Sequence, residues 1–203
     1  MIRRGVMCSP NDIVITAGDT VALELGLLAT GKPNDRVIVE DPTYFGILQA
    51  IEQVGMRAVP IQTCATRGIN LAQVEKALKN GLYAAIFLNP TLQNPKGFVM
   101  PAHQRMLLAK MASQAGVTII EDDVFFDLLN PVHQTPAIKS YAPHNVLYCS
   151  SFTKTLAPGF RVGWCVPGKH KEAILAQMFG RNLSVSNLPQ LVLAEFLKRG
   201  YED

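Results

Sequence analysis

Short runs of apolar, β-favouring residues alternate along this sequence with stretches that have the periodicity of amphipathic helices. The runs are continuous in apolar character, which is typical of strands buried on both faces of a sheet. Strands that alternate with helices predict a largely parallel sheet covered on both sides. We expect strands at residues 13–16, 37–40, 58–61, 84–88, 117–121, 146–149 and 161–166, and helices at about 20–29, 44–54, 71–79, 101–115, 169–178 and 188–199. The sequence therefore predicts a three-layer α/β/α domain around a mostly parallel seven-stranded sheet, in which the strand at 161–166 is antiparallel.

The composition indicates one globular domain. With 203 residues, of which 48% are hydrophobic and 17% charged, the chain can bury a sizeable core. No repeat or change of composition marks a boundary, so residues 1–203 are expected to form a single large domain. The chain begins almost at a strand and stops without a closing element, so we expect it to be a fragment of a longer protein.

Charge and cysteine content exclude several kinds of function. The net charge is +3 and the basic residues are scattered, so any DNA binding must come from outside this chain. The four cysteines have no Cys-x-x-Cys spacing and no neighbouring histidine pair, which argues against a zinc site and against a disulfide framework. No apolar run approaches the roughly 20 residues of a membrane span. We therefore expect a soluble, cytoplasmic protein with reduced thiols and no membrane partner.

The segment at residues 149–165 places one lysine, Lys154, among small hydroxyl residues at a strand end. Partial burial there would disfavour the ammonium form and leave an amine available for imine formation. Ser151, Thr153 and Arg161 supply hydroxyl groups and a planar guanidinium, which a phosphate monoester needs. An amine beside a phosphate site suggests pyridoxal phosphate. A Ser/Thr-rich loop with a solvated lysine is the alternative, so residues elsewhere must decide.

Polar side chains also follow other predicted strands. Asp19 and Thr20 open a helix whose amides could receive a phosphate, although a glycine turn with Asp19 as the helix cap explains the same pattern. Tyr44 follows the second strand, where it could stack on a flat heterocycle or belong to the core. Asn94 lies in the long turn after the fourth strand. Asp122 is one of three acids that end a buried strand, where an unpaired carboxylate is costly. Since ligands bind outside the carboxyl ends of such strands, we expect these side chains to meet.

Four motifs occur in order along the chain: Asp-Pro-Thr-Tyr-Phe-Gly, Gln-Asn-Pro-Lys-Gly, Glu-Asp-Asp-Val and Ser-Ser-Phe-Thr-Lys-Thr-Leu-Ala-Pro-Gly-Phe-Arg-Val-Gly-Trp. Together they resemble the fold-type I aminotransferases over about residues 11–199, and four ordered motifs are far more specific than one. Cys-Ser-Ser-Phe-Thr-Lys-Thr-Leu-Ala-Pro-Gly and Asn-Leu-Pro-Gln-Leu are most similar to the MocR branch of the GntR-type transcriptional regulators. Those regulators carry an aminotransferase-like domain behind a winged helix-turn-helix. The resemblance implies the large, cofactor-binding domain of a pyridoxal-phosphate-dependent transferase, without the winged helix-turn-helix and without the C-terminal small domain.

The resemblance also implies a role for each candidate residue around pyridoxal 5'-phosphate. Lys154 would hold the cofactor as an internal aldimine and act as the catalytic base, Asp122 would pair with the pyridinium nitrogen, and Asn94 would bond the ring hydroxylate. Tyr44 would stack on the ring. The phosphate would be held by Ser151, Thr153, Arg161 and the region of Asp19 and Thr20. A carboxylate at the ring nitrogen strengthens the electron sink that the cofactor provides. In this fold the active site lies between two subunits, so a homodimer is implied.

Several positions depart from the family pattern. Phe125 stands where many relatives have a tyrosine that bonds the ring hydroxylate, so one donor is lost. Asp19 stands where relatives usually have a small neutral residue, and a carboxylate facing a phosphate would repel it. Thr20 replaces a longer amide side chain. The family's arginine for the substrate carboxylate lies in the C-terminal small domain, and no residue of this chain evidently replaces it.

These features predict the pyridoxal-phosphate-binding effector and dimerisation domain of a MocR/GntR-type transcriptional regulator. Its ligand would be a small amino compound, and it would reach DNA only through a separate domain. The first alternative is a free-standing aminotransferase of the aminoadipate or the aromatic or branched amino acid type, which transfers an amino group to a 2-oxo acid. The second is a degenerate, cofactor-free scaffold, which Phe125 and Asp19 would favour.

Overall fold

A mixed sheet runs through the middle of the computed structural model, which describes residues 2–200. Across the sheet the strands have the order β1-β8-β7-β6-β5-β2-β3-β4. Strands β7, β6, β5, β2 and β3 are mutually parallel. The strands are β1 (Val14–Thr16), β2 (Arg36–Asp41), β3 (Arg57–Cys64), β4 (Gly68–Ile69), β5 (Ala85–Leu88), β6 (Thr118–Asp122), β7 (Val146–Ser151) and β8 (Gly163–Val166).

All seven expected strands are present, but within residues 2–200 the sheet has an eighth, so the expected number of strands was wrong by one. The additional strand, β4, pairs antiparallel with the end of β3. Because β4 contains only two residues, it carries no periodicity from which a strand could be predicted. Strand β8 is antiparallel to both of its neighbours, which confirms the orientation expected for that segment. It begins at Gly163, since Arg161 has a φ of 49° and a left-handed conformation that does not continue a strand.

The expected helices are present within a few residues of their predicted bounds. They are α1 (Asp19–Thr30), α2 (Phe45–Gln53), α3 (Leu71–Asn80), α4 (Ala102–Gln114), α6 (Lys171–Asn182) and α7 (Asn187–Lys198). The short helix α5 (Ile138–Tyr141) was not predicted, because a single turn shows no helical period. Among the helices within residues 2–200, none combines the length and the apolar character that a membrane span requires.

Helices cover both faces of the sheet, which confirms the three-layer architecture. Val37 and Val39 of β2 point into a core that contains side chains of α1, α2 and α6. Ile38, between them, points into a second core that contains side chains of α3, α4 and α5. The alternation follows from the two-residue period of a strand, and it explains why these strands are apolar on both faces.

The strand directions bring the polar strand ends to one edge of the sheet. The carboxyl ends of β2, β5, β6 and β7 lie at this edge because these strands are parallel. Strand β1 ends there too, because it is antiparallel to β8, which is itself antiparallel to β7. The amino end of β8 is therefore at the same edge, directly after the turn that contains Lys154.

Candidate functional site

One cavity of about 190 Å³ opens at this edge of the sheet. Its lining includes all ten residues singled out from the sequence, together with Val124. Nothing marked Val124 in the sequence, because an apolar residue after an apolar strand is indistinguishable from core. The lining residues are Asp19, Thr20, Tyr44, Asn94, Asp122, Val124, Phe125, Ser151, Thr153, Lys154 and Arg161.

Two glycines allow the β1–α1 turn and β8 to approach each other on one side of the cavity. Gly18 has a φ of 96°, and a Cβ on it would lie 2.5 Å from Nη2 of Arg161. A Cβ on Gly163 would lie 2.5 Å from the carbonyl carbon of Gly18. The Arg161 guanidinium crosses this turn and donates a hydrogen bond to the carbonyl oxygen of Ala17 at 3.2 Å. A side chain at either glycine would therefore displace the arginine or the start of α1.

The three consecutive acids at the end of β6 have different partners. Glu121 lies 3.6 Å from the Arg105 guanidinium and accepts hydrogen bonds from two backbone amides of α5. Asp123 pairs with Arg4 at 2.5 Å and accepts a hydrogen bond from the Tyr148 hydroxyl at 2.7 Å. The two outer acids are thus neutralised by buried cations.

Asp122, the middle acid, faces the cavity. Its carboxylate accepts a hydrogen bond from the Val124 amide at 3.1 Å and has no ion pair within the described part of the chain. Burial raises the pKa of Asp122 well above its ordinary value, and the nearby Asp19 carboxylate raises it further. A buried carboxyl group without a cation favours the binding of a cationic or hydrogen-bonding ligand group, because such a partner offsets the cost of burial.

Asn89 links two of the cavity residues and was not identified from the sequence. Its side-chain nitrogen donates a hydrogen bond to the backbone carbonyl oxygen of Asp122 at 2.8 Å, and its side-chain oxygen accepts one from the backbone amide of Asn94 at 3.0 Å. Its own backbone amide donates to the Glu40 carboxylate at 2.9 Å. A polar residue directly after the apolar strand β5 was the signal that could have revealed it. Asn89 fixes the spacing between the ends of β5 and β6.

Unsatisfied hydroxyl and carboxyl groups lie on the β1–β8 side of the cavity. Ser151 is buried at the end of β7, and its hydroxyl accepts a hydrogen bond from the Thr153 amide at 3.3 Å. The Thr153 hydroxyl and one carboxyl oxygen of Asp19 are buried without a hydrogen-bond partner among the described residues. Buried polar groups are nearly always paired, so such atoms at a cavity wall indicate a ligand that completes them.

Asp19 is not a helix cap. The capping position of α1 is Gly18, and Asp19 is the first residue of the helix. Burial raises the pKa of Asp19 to about 7, although Arg161 and Lys154 oppose this shift. Asp19 lines the cavity, and its interpretation as the cap of α1 was wrong.

Lys154 is exposed in this chain, so the expectation that it is partly buried was also wrong. It lies in the turn that follows β7, where solvent reaches the side chain, and its Nζ is 5.9 Å from the centroid of the Phe125 ring. Tyr44, which also lines the cavity, precedes α2 and packs edge-on against Phe45 with ring centroids 5.2 Å apart.

The fold is that of the pyridoxal-phosphate-dependent transferases. LysN, the α-aminoadipate aminotransferase of Thermus thermophilus, solved in complex with N-(5'-phosphopyridoxyl)-L-leucine, superimposes with a TM-score of 0.88 at 28% identity. The match covers 95% of this chain and 50% of LysN. The aminotransferase class I and II family matches residues 4–200, and the chain belongs to this family.

Sequence relatives include both regulators and enzymes. The uncharacterized HTH-type transcriptional regulator YdcR of Escherichia coli is 40% identical, over 96% of this chain and 42% of YdcR. The 2-aminoadipate transaminase of Thermus thermophilus is 31% identical, over 96% of this chain and 50% of the enzyme. The chain thus spans about half the length of these relatives or less.

Proposed function

We propose that this chain is the pyridoxal-phosphate-binding domain of an HTH-type transcriptional regulator, with Lys154 as the point of covalent attachment. One observation carries the proposal: an amine, a buried carboxyl group without a cation, and unsatisfied oxygen groups beside a guanidinium line a single cavity. The greater identity with YdcR than with the transaminase favours the regulator. The ligand would be a small amino compound, and DNA would be bound by a separate domain.

The cavity fits this cofactor in most respects. The Asp122 carboxyl group would bond the ring nitrogen, the Asn94 amide would donate to the ring hydroxylate, and the Tyr44 ring would pack on the ring face. Ser151, Thr153 and Arg161 would supply donors to the phosphate, together with the amides at the positive end of α1. Phe125 offers no donor to the ring hydroxylate, and Asp19 brings negative charge toward the phosphate. Bound pyridoxal phosphate supplies an electron sink for carbanion chemistry, and the freed Lys154 amine would carry the proton.

Covalent attachment is tested by adding pyridoxal phosphate to the purified chain, reducing with borohydride and locating the modified peptide by mass spectrometry. We expect the modification on Lys154 and its loss in Lys154→Ala. Lys110→Ala is the matched control, because Lys110 is an exposed lysine on α4 outside the cavity. Equal labelling of the wild-type chain and Lys154→Ala would contradict the assignment. Absence of any visible absorbance change in the wild-type chain would favour the cofactor-free scaffold.

A working aminotransferase is the second candidate, because Lys154, Asp122 and Asn94 line the same cavity and the chain is 31% identical to a transaminase. Experiments on the intact parent protein distinguish the two proposed functions. A regulator is expected to have a winged helix-turn-helix segment upstream in its reading frame and to change its DNA affinity with an amino ligand. Repeated conversion of a 2-oxo acid into an amino acid, by a parent without such a segment, would establish the enzyme instead.

We also propose that the domain associates with a second copy. Exposed apolar side chains on α6 and α7 and between them support a protein partner, since solvent does not favour such groups in a cluster. They include Phe179 (66% exposed), Leu183 (72%), Leu188 (71%) and Leu191 (68%). Light scattering of the intact parent protein should give twice the mass of one parent polypeptide, and a monomer at all concentrations would exclude this proposal.

A further inference from the structure

Asp19 places a carboxyl group in the part of the cavity where hydroxyl groups and a guanidinium collect. It is the first residue of α1, and one of its carboxyl oxygens is buried without a hydrogen-bond partner within residues 2–200. Ser151, Thr153 and Arg161 line the same cavity. An anion drawn to the amino end of α1 and to Arg161 must therefore approach this carboxyl group.

Charged groups of both signs surround Asp19. Arg161 and Lys154, from the segment between β7 and β8, favour its ionised form, while Asp122 and Asp123 at the end of β6 oppose it. The buried thiols Cys149 of β7 and Cys165 of β8 also lie near enough to interact electrostatically with Asp19. Asp19 forms no ion pair with either cation among the described residues, because the Arg161 guanidinium is turned toward the Ala17 carbonyl oxygen. Burial is the largest influence and raises the pKa of Asp19 to about 7.

The protonation state of Asp19 decides how it meets a phosphate. A phosphate monoester has a second pKa near 6, so it is a dianion at neutral pH. An ionised carboxylate repels it in a partly desolvated site. A protonated carboxyl group instead donates a hydrogen bond, which would use the buried oxygen that has no partner among the described residues.

We infer that Asp19 makes binding of the phosphate-bearing cofactor conditional on uptake of a proton by its carboxyl group. The inference rests on the proposed function and adds that loading of the site depends on pH. The cofactor binds to the protonated site, and deprotonation of Asp19 weakens its hold. A neutral residue at this position would bind the same phosphate without this dependence.

The expected loss of cofactor affinity with rising pH follows from proton linkage. In the free chain Asp19 titrates at about 7, and a bound dianion raises this pKa further. Each pH unit above the pKa of Asp19 in the free chain then weakens binding by up to a factor of ten. Between about pH 6.5 and about pH 8.5 the Asp19-dependent loss of affinity is about 20-fold.

The test compares dissociation constants of pyridoxal phosphate for the wild-type chain and Asp19→Asn across this pH range. The single tryptophan, Trp164 in β8, provides a fluorescence signal that needs no catalytic activity. Ionisation of the phosphate affects both proteins equally, so the ratio of the wild-type dissociation constant to that of Asp19→Asn removes its contribution. We expect this ratio to rise by about 20-fold between about pH 6.5 and about pH 8.5. Pyridoxal, which lacks the phosphate, should give a ratio that stays constant. Asp19→Ser is the second neutral variant and should behave as Asp19→Asn does.

The outcomes separate the inference from the proposed function. A constant ratio for pyridoxal phosphate, with both variants folded and binding, overturns the role of Asp19 and leaves the cofactor assignment in place. A ratio that rises equally for pyridoxal shows that Asp19 acts on the ring or on the amine, which also overturns the inference. Failure of both variants and the wild-type chain to bind pyridoxal phosphate at any pH refutes the proposed function and the inference with it.

Discussion

Arg4 and Arg3 are adjacent in sequence, yet they should contribute very differently to stability. Arg4 is 1% exposed, and its guanidinium makes two hydrogen bonds to Asp123, at 2.5 and 2.9 Å. It also donates to the Thr91 hydroxyl and the Thr135 carbonyl oxygen. Removal of one partner of a buried ion pair leaves an uncompensated charge and costs about 3–5 kcal/mol. We expect Arg4→Met to lower the free energy of unfolding by this amount.

Arg3→Met is the matched control. Arg3 pairs with Asp127 at 3.4 Å, with side chains 49% and 29% exposed. Such surface pairs contribute about 0–1 kcal/mol. Both guanidinium groups lie over the ring of Phe126, at 5.9 Å for Arg3 and 4.2 Å for Arg4, so the control removes the same kind of side chain.

Urea denaturation of the two variants measures the difference, and thermal unfolding checks it. For a chain of this size, about 3–5 kcal/mol corresponds to a loss of roughly 6–20 °C in Tm. Adding Asp123→Asn to Arg4→Met removes the stranded charge while leaving an oxygen for the Tyr148 hydroxyl, so the double variant should be more stable than Arg4→Met. Equal stability of Arg4→Met and Arg3→Met would refute the reasoning, because the buried pair would then contribute no more than the exposed one.

Two further predictions concern buried groups around the sheet. Glu40 is 2% exposed, and burial raises its pKa from 4.5 to about 8, so the folded state binds the proton more tightly and stability falls as pH rises through this window. The stability of Glu40→Gln relative to the wild-type chain should therefore rise by about 3.5 kcal/mol between about pH 5 and about pH 8 in urea denaturation, and a pH-independent difference would contradict this. Gly163→Ala should cost about 1–3 kcal/mol, because the new Cβ meets the Gly18 backbone at 2.5 Å. A Cβ on Gly180 in α6 would meet no described atom within 4 Å, so Gly180→Ala should stabilise the folded chain by up to about 1 kcal/mol. A thermal melt that ranks the two alanine variants in the opposite order would refute the packing argument.

The sequence was sufficient for the elements with a strong period and for the composition of the cavity wall. The continuous apolar runs of β2, β5 and β6 predicted buried parallel strands, and parallel strands place their polar ends at one edge. All lining residues except Val124 could therefore be named from the sequence, because most of them lie at or shortly after a strand end. Asn89 meets the same criterion, but an Asn-Pro pair after a strand is also typical of a plain turn, so the sequence did not separate the two roles.

Elements without a period could not be predicted. Strand β4 and helix α5 are two and four residues long, and each is held by hydrogen bonds to a neighbouring element. Strand β4 pairs with the end of β3, while α5 donates two backbone amides to Glu121. Short segments of this kind take their conformation from tertiary contacts rather than from local propensity.

The sequence by itself determined that Glu121, Asp122 and Asp123 end a buried strand, and only the tertiary structure decided what each carboxyl group does. Arg4 lies 119 residues before its partner Asp123, and Arg105 reaches Glu121 from α4. These contacts arise when the sheet brings distant segments together, and they neutralise the outer acids but leave Asp122 facing the cavity. The exposure of Lys154 and the buried, unpartnered oxygen of Asp19 were decided in the same way. The sequence shows which residue types lie at each strand end, whereas their burial and pairing depend on which segments the fold places side by side.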